Sequence, residues 1–407
     1  MGLSLLVSAV EFYSFFVYAT AAALVFGPLY FPAASPLTQS VGAWASFALA
    51  FFARPLGAVL FGHLGDRRGR REALTAAMLL MAISTASIGL LPDYAHAGWI
   101  APALLGLLRF GQGLGLGGQW GGAALLAVEN APEGRKGLYG ATPQLGAPLG
   151  FVAANGAFLG ISLLVDQEEF FSWGWRIPFL AAAPLMIVAF GVGSRLRDTT
   201  ASVDIAKTYE PAAVPIRALL DRSATEVMLG ILGIVSCFVL YYMATAFMLE
   251  YSSRRLGYTV AETLMVQICT MPFMAAGTLL SGWLSDRWGT DRMLLAGALL
   301  TIPTGLLLAP SLQHATPWIG APFVCASMLV LGIMYGPLGS WLPSLFPAQV
   351  RYTGTSLTFH VAGVIGGALT PLLATLLTAS HGLHSAGLYL SAAGVLSFVS
   401  VAATIRR

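Results

Sequence analysis

The chain has 407 residues, of which 57% are hydrophobic and only 10% charged, with a mean hydropathy of +0.76. A soluble domain carries roughly 25% charged residues to cover its water-facing surface, so a soluble enzyme, a nucleic-acid binder and a disordered tail are all excluded. The net charge of +3, from 21 basic and 18 acidic side chains, is too small to hold a polyanion, and the solvent of this chain is the lipid bilayer.

A spanning helix needs about 20 mostly apolar residues. In chain order twelve segments meet this requirement, at about 3–28, 38–62, 73–92, 99–127, 137–164, 176–196, 224–250, 259–284, 292–311, 317–345, 353–378 and 383–404. The start, Met1-Gly-Leu-Ser-Leu-Leu6, has no basic n-region and no small-residue cleavage site, so it reads as the first span. The longest polar gap divides the chain into a six-helix unit at 1–196, a central loop at 197–223 and a second six-helix unit at 224–407. The expected fold is all-α and integral to the membrane, twelve helices in two pseudo-symmetric bundles.

Alternate loops differ sharply in Lys and Arg, which sets orientation. One set, with the C-terminus, holds 16, including Arg67, Arg68, Arg70 and Arg71 after span 2, and the opposite set holds three, Arg176, Arg254 and Arg255. Both termini and the central loop are therefore expected in the cytoplasm. Cys237, Cys269 and Cys325 lie in apolar stretches and read as small hydrophobes, with no disulfide or metal set among them.

The halves echo each other. Gly62-x-Leu-x-Asp66-Arg67-x-Gly69 follows span 2, and Gly282-x-Leu-x-Asp286-Arg287-x-Gly289 follows span 8, 220 residues further on. A duplication of this kind implies a pseudo-two-fold axis along the membrane normal and a cavity between the halves.

Twelve spans, a long central loop and the repeated signature, completed by Arg70, resemble the major facilitator superfamily along the whole chain. Further motifs resemble its metabolite:proton symporter branch, which includes transporters of citrate, 2-oxoglutarate, shikimate and zwitterionic osmolytes. These are Glu11-Phe-Tyr-Ser-Phe15, Ala53-Arg54-Pro55, Gly117-Gly-Gln119-Trp120-Gly-Gly122 with Glu129, Gln144-Leu-Gly-Ala-Pro148-Leu-Gly150, and Phe346-Pro-Ala-Gln-Val-Arg351-Tyr-Thr-Gly354. The resemblance implies a secondary carrier that takes a small-molecule substrate and a proton, works as a monomer in a bacterial inner membrane and needs no cofactor. Two positions depart from the branch, which usually has acids where this chain has Ser14 and Gln119.

Particular residues then carry the expected chemistry. Asp66 can cap a helix N-terminus, and Arg67 and Arg70 can meet acids or carbonyls of the facing half, a latch that closes the cytoplasmic side. Arg109 lies deep in span 4, where a charge is functional unless paired, and shares a face with Gln112, Leu116 and Gln119. Arg109-x-x-Gln112-Gly113 resembles the superfamily motif linked to proton transfer; binding a substrate carboxylate is the other reading. Glu11 is the one acid expected well within a span and aligns with Ser14 and Tyr18, and because the resemblance puts spans 1 and 4 together it is the expected partner of Arg109. That pair either couples protons or is a static ion pair.

His360 in span 11 is either a packing residue or a replacement proton carrier. Gln144 and Asn155 share a face of span 5, Gln267 heads one of span 8, and Tyr13, Tyr241, Tyr242, Tyr335 and Trp341 can close over a ligand, although Trp341 also suits an interface anchor. Arg54 is either an anion ligand or a snorkelling gate residue, and the gate is favoured.

The function expected is import of an organic acid by proton symport with alternating access. An efflux antiporter and a facilitative uniporter are the alternatives, the latter because of Ser14 and Gln119. The chain has no Gly-x-x-x-x-Gly-Lys-Ser/Thr loop for ATP and its six histidines are scattered, so neither a primary pump nor an enzyme is expected.

Overall fold

Within hydrocarbon every backbone N–H and C=O must find its partner inside the chain, and helices do this locally. The computed structural model describes residues 2–32, 35–68, 70–117, 120–184, 215–312, 317–347 and 350–406, and every regular element there is helical. Side chains at 62, 63, 65–68 and 70–74 lie outside the description, as do Gly69 and Gln119.

The first half runs through α1 (Gly2–Ala21, extended to Tyr30), α2 (Pro36–Arg68), α3 (Arg70–Gly89), α4 (Ile100–Leu116), α5 (Trp120–Glu129), α6 (Lys136–Ala141), α7 (Gly146–Leu164) and α8 (177–184). The second contains α9 (Pro215–Tyr242, extended through Met248–Arg255), α10 (Val260–Trp288), α11 (Thr290–Leu312), α12 (Pro317–Tyr335), α13 (Leu338–Ser344), α14 (Arg351–Ala362, extended through Leu369–His381) and α15 (Leu383–Ile405). Among the described residues nine helical stretches are long and apolar enough to cross a membrane, and Thr75–Gly89 and Ile100–Leu116 are shorter apolar helices. The sixth expected span begins as α8 and continues beyond the described residues, as does most of the central loop.

Three expected spans are interrupted. The stretch 99–127 is divided between α4 and α5, 137–164 is broken by a 3-10 turn at Pro143–Leu145, and 317–345 breaks between α12 and α13. Pro143 and Pro337 lack the N–H that would continue the ladder at the latter two breaks.

The irregularities recur in register. A π-turn at Ala22–Phe26 in α1 is matched by one at Met243–Phe247 in α9, and the 3-10 turn at Pro143 is matched by a π-turn at Gly363–Ala368 in α14. Their starts are 221 and 220 residues apart, the spacing of Asp66 and Asp286. The repeat thus extends from a loop motif to the places where the helices deform.

Exposure is inverted relative to a soluble protein. Leu56, Val59 and Leu60 of α2 point outward, while Arg109, Asn155, Thr355 and Thr358 are wholly buried. Inside, glycine brings helices to backbone contact: a Cβ on Gly113 would sit 2.3 Å from the Ala50 carbonyl oxygen and one on Gly117 2.0 Å from that of Arg54. Trp341 is an anchor of another kind than expected: it is fully buried and its indole Nε1 donates to Asp291 at 2.6 Å, inside the second half.

Replacing Gly117 by Leu must push α2 from α4 and is expected to cost at least about 3 kcal/mol. Gly156→Ala, where an added Cβ meets nothing within 4 Å, is expected to stabilise by about 0.5–1 kcal/mol. Thermal unfolding of the two purified variants in detergent checks the contrast.

Candidate functional site

One cavity of about 50 Å³ lies between the halves. Its wall is built from α1 (Glu11, Phe12, Phe15), α2 (Arg54), α4 and α5 (Leu116, Trp120), α7 (Ala147), α9 (Cys237, Phe238, Tyr241, Tyr242), α12 (Tyr335) and α14 (Phe359, His360). The surface is aromatic with a few polar groups, the ordinary make-up of a small-molecule site. The Trp120 and Phe359 rings stack across the halves with centroids 3.5 Å apart.

Arg54 enters this cavity and does not snorkel; the gate reading of the sequence is corrected. Residue 54 sits mid-way along α2, too far from either helix end to reach the interface, and it is 8% exposed. Its guanidinium lies 4.4 Å from the Phe51 ring centroid and 4.7 Å from that of Phe15, with the Tyr242 hydroxyl within hydrogen-bonding reach. Aromatic faces hold a desolvated cation by their quadrupole. The Arg54 Nε is buried and has no protein partner.

The expected Glu11–Arg109 ion pair is not formed. Glu11 lines the cavity and the cation whose charge acts on it is Arg54, with no ion pair to either arginine within bonding distance. Helix rise explains the error: the residue of α1 beneath Arg109 is Tyr18, about 10 Å along the axis from Glu11. Arg109 lies 4.0 Å above the Tyr18 ring, with Phe15 and Phe47 at 4.9 and 5.0 Å. One Nη donates to Gln112 Oε1 at 3.0 Å, Nε donates to the Phe47 carbonyl at 3.4 Å, and Gln112 Nε2 donates to Thr85 at 2.7 Å. Phe15 therefore separates two guanidinium groups, one in the cavity and one behind it.

The remaining expected cavity residues divide. Tyr241, Tyr335 and His360 line the cavity. His360 shares a 2.9 Å hydrogen bond between Nε2 and the Gly117 carbonyl; a carbonyl only accepts, so Nε2 is the donor, and buried Nδ1 has no partner. Gln144 stands just behind the wall, accepting from Trp120 Nε1 at 3.2 Å and donating to the Tyr335 carbonyl at 3.4 Å.

Ser14, Tyr18, Gln112, Asn155 and Gln267 do not line the cavity, and each has a local partner instead. The Ser14 hydroxyl donates to the Val10 carbonyl at 3.3 Å and the Tyr18 hydroxyl to Ser46 at 2.7 Å. Asn155 accepts from Thr20. Gln267 Nε2 donates to the Thr245 carbonyl at 2.6 Å, within the π-turn of α9. Tyr13 donates to the Pro178 carbonyl at 2.8 Å and also stands clear of the cavity. Gln119, Gly62, Asp66, Arg67, Gly69 and Arg70 lie outside the described residues or side chains. Phe12, Phe15, Trp120, Phe238 and Phe359 were not singled out as cavity lining from sequence, since aromatics in spans read as bulk.

The capping expected of Asp66 is seen at its repeat. The Asp286 carboxylate, at the end of α10, accepts from the backbone N–H of Gly137 and Leu138 at 2.6 and 3.1 Å, capping α6 in the other half. Beside it Gly140 and Gly339 touch backbone to backbone. The Arg287 guanidinium stays on its own helix, 3.8 Å over the Trp283 ring.

A bundle with a central charged aromatic cavity, shut at one end by a carboxylate that caps the opposite half, defines a membrane carrier. The chain matches the Major Facilitator Superfamily over residues 2–371 and belongs to that family. It is 40% identical over 406 residues to the inner membrane metabolite transport protein YhjE of Escherichia coli strain K12, covering 98% of this chain and 92% of that one. It is 34% identical over 398 residues to the shikimate transporter of the same strain (96% and 90%), and 32% over 408 residues to a proline/betaine transporter of Salmonella typhimurium strain LT2 (97% and 80%). Among solved structures, the partially occluded inward-open xylose transporter XylE of E. coli has a TM-score of 0.75 at 16% identity, covering 98% of this chain and 95% of that one. The chain is a multi-pass membrane transporter of metabolites and not an enzyme.

Gln112→Leu removes the acceptor of a buried guanidinium and is expected to destabilise the protein by about 1–3 kcal/mol; Arg109→Met/Gln112→Leu, which removes both partners, is expected to lose less. A double-mutant cycle in thermal unfolding decides this.

Proposed function

We propose that this carrier imports a small organic acid together with a proton, from a bacterial periplasm to the cytoplasm, with the Asp286 end and both termini cytoplasmic. The observation that carries the reading is that Glu11 and Arg54 share one small cavity between the halves without forming an ion pair.

A guanidinium in a dry aromatic pocket is a ready ligand for a carboxylate, and bidentate geometry makes such contacts strong. Shikimate, proline and betaine, named for the relatives, all carry a carboxylate. Two carboxylates cannot remain charged together opposite one cation in a low-dielectric cavity. When a substrate anion occupies Arg54, Glu11 therefore enters the cycle neutral, holding a proton. Substrate and proton then cross as a pair and leave as a pair, with the halves rocking about the site.

His360 lines the cavity with Nε2 engaged on the Gly117 carbonyl; its proposed part is to orient substrate through Nδ1, not to carry the proton. The neutral residue at position 14 does not remove a cavity acid, because Ser14 bonds to its own helix. Coupling is thus assigned to Glu11 and not to the two positions that depart from the branch.

Radiolabelled uptake into proteoliposomes under an inward proton gradient, with shikimate, dicarboxylates, aromatic acids and betaines, tests the proposal. Accumulation abolished by a protonophore is expected. Equilibration without accumulation indicates a uniporter, and gradient-driven extrusion an antiporter. Glu11→Gln is expected to retain exchange and lose accumulation, whereas Arg54→Gln is expected to raise KM by roughly ten- to a hundredfold. Concentrative uptake by Glu11→Gln would show the coupling assignment to be wrong.

A further inference from the structure

Sequence inspection treated Glu11 as the one acid well within a span, but Glu250 is a second buried carboxylate, 5% exposed, just beyond the π-turn of α9. It lies at the end of the bundle opposite Asp286, where α1, α9 and α14 finish and α2 begins. Its Oε2 accepts from the indole Nε1 of Trp44 on α2, at 2.5 Å, and from the Thr375 hydroxyl on α14, at 3.2 Å. Its Oε1 lies 3.7 Å from Arg254 Nε. The Arg254 guanidinium in turn lies against Gly27 of α1, where an added Cβ would meet its Nη2 at 2.8 Å. One carboxylate thus ties helices of both halves together, and it is not part of the cavity wall.

Behind this contact runs a file of rings. Trp44 packs edge-on to Phe47 with centroids 5.6 Å apart, Phe47 packs on Tyr242 at 5.7 Å, and Tyr242 lines the cavity. Parting α2 from α9 at this end must break the indole–carboxylate bond and separate those rings, which opens a path to the cavity.

We propose that Glu250, with Trp44 as its partner in the other half, is the positioning residue that latches the cavity shut at the end opposite Asp286. The proposal rests on the alternating-access reading above. A hydrogen bond to a desolvated carboxylate is strong while water is excluded and is exchanged for water once the end opens. Such a contact favours two discrete arrangements over a continuum between them.

Cys237 lines the cavity, whereas Cys269 and Cys325 do not, so the full-length chain with Cys269→Ala and Cys325→Ala reports access to the cavity. Its labelling by a membrane-impermeant methanethiosulfonate is measured from each face of sealed vesicles. A C-terminal tag marks orientation, because α15 runs from the Glu250 end to the Asp286 end. Trp44→Phe and Glu250→Gln are each expected to raise Cys237 labelling from the Glu250 face about tenfold and to lower it from the Asp286 face. The double variant is expected not to exceed the larger single effect, since both remove one bond. Thr375→Val is expected to shift labelling less, in the same direction; if Trp44→Phe does not accumulate folded, Glu250→Gln and Thr375→Val decide the matter.

Unchanged labelling, an equal rise from both faces, or fully multiplicative effects in the double variant would overturn the latch. The readout needs no transported substrate, so failure of the proton-coupled organic acid reading leaves it standing. A tag found on the periplasmic face would overturn the orientation alone.

Discussion

Two guanidinium groups buried in a lipid-embedded bundle set the terms for the rest of the structure. Among the described residues neither Arg54 nor Arg109 has a carboxylate within ion-pair distance; Arg54 is held by ring faces and the Tyr242 hydroxyl, and Arg109 by ring faces, a carbonyl and a neutral amide. Phe15 lies between them, at 4.7 and 4.9 Å. A cation held this way retains its demand for an anion, whereas one already paired would not. For Arg109, walled in behind Tyr18, Gln112 and Phe47 take two of its nitrogens and leave one Nη buried without a partner among the described residues. For Arg54 that demand opens on the cavity. The two arginines thus differ in access to the cavity and not in residue type.

The same economy of polar partners explains where the helices deform. A π-turn loosens the backbone ladder where hydrocarbon offers no other partner, and in α9 the side chain of Gln267 reaches across from α10 to donate to the Thr245 carbonyl within it. The paired defects, α1 with α9 and the Pro143 turn with α14, recur at the spacing of the repeat together with the helices. The glycine-packed contacts, α2 on α4 and α10 on α12, lie apart from these deformed turns.

Helix count, order and the repeat were legible in the sequence because bilayer thickness imposes a length and duplication leaves matched motifs. The site was legible only in part. Face periodicity placed Glu11, Ser14 and Tyr18 on one stripe, but it carries no depth, and about two turns of helix separate Glu11 from Tyr18, the residue against which Arg109 lies. Ser14, Asn155 and Gln267 were expected to line the cavity because polar side chains in spans are rare. They turned out to satisfy nearby groups, a demand that depends on tertiary contacts no spacing rule contains. Glu250 escaped notice because it falls where a span was expected to end, and depth at a helix terminus depends on how far the helix continues: α9 runs on to Arg255.

The two ends of the bundle solve one problem with different donors. At one end Asp286 takes two backbone N–H groups of α6; at the other Glu250 takes an indole N–H and a hydroxyl. Both place the acceptor in the second half and at least one donor in the first, and neither of these two contacts is itself a cross-half ion pair. A cross-half ion pair would keep attracting as the halves part, because Coulomb forces decay slowly in a medium of low dielectric. Hydrogen bonds lose most of their strength within about an ångström or with modest misalignment. A carrier whose ends must open in turn is better served by the short-range contact, which resists opening until it breaks and then no longer opposes it. Short-range contacts of this kind also suit a chain in which only 10% of residues are charged.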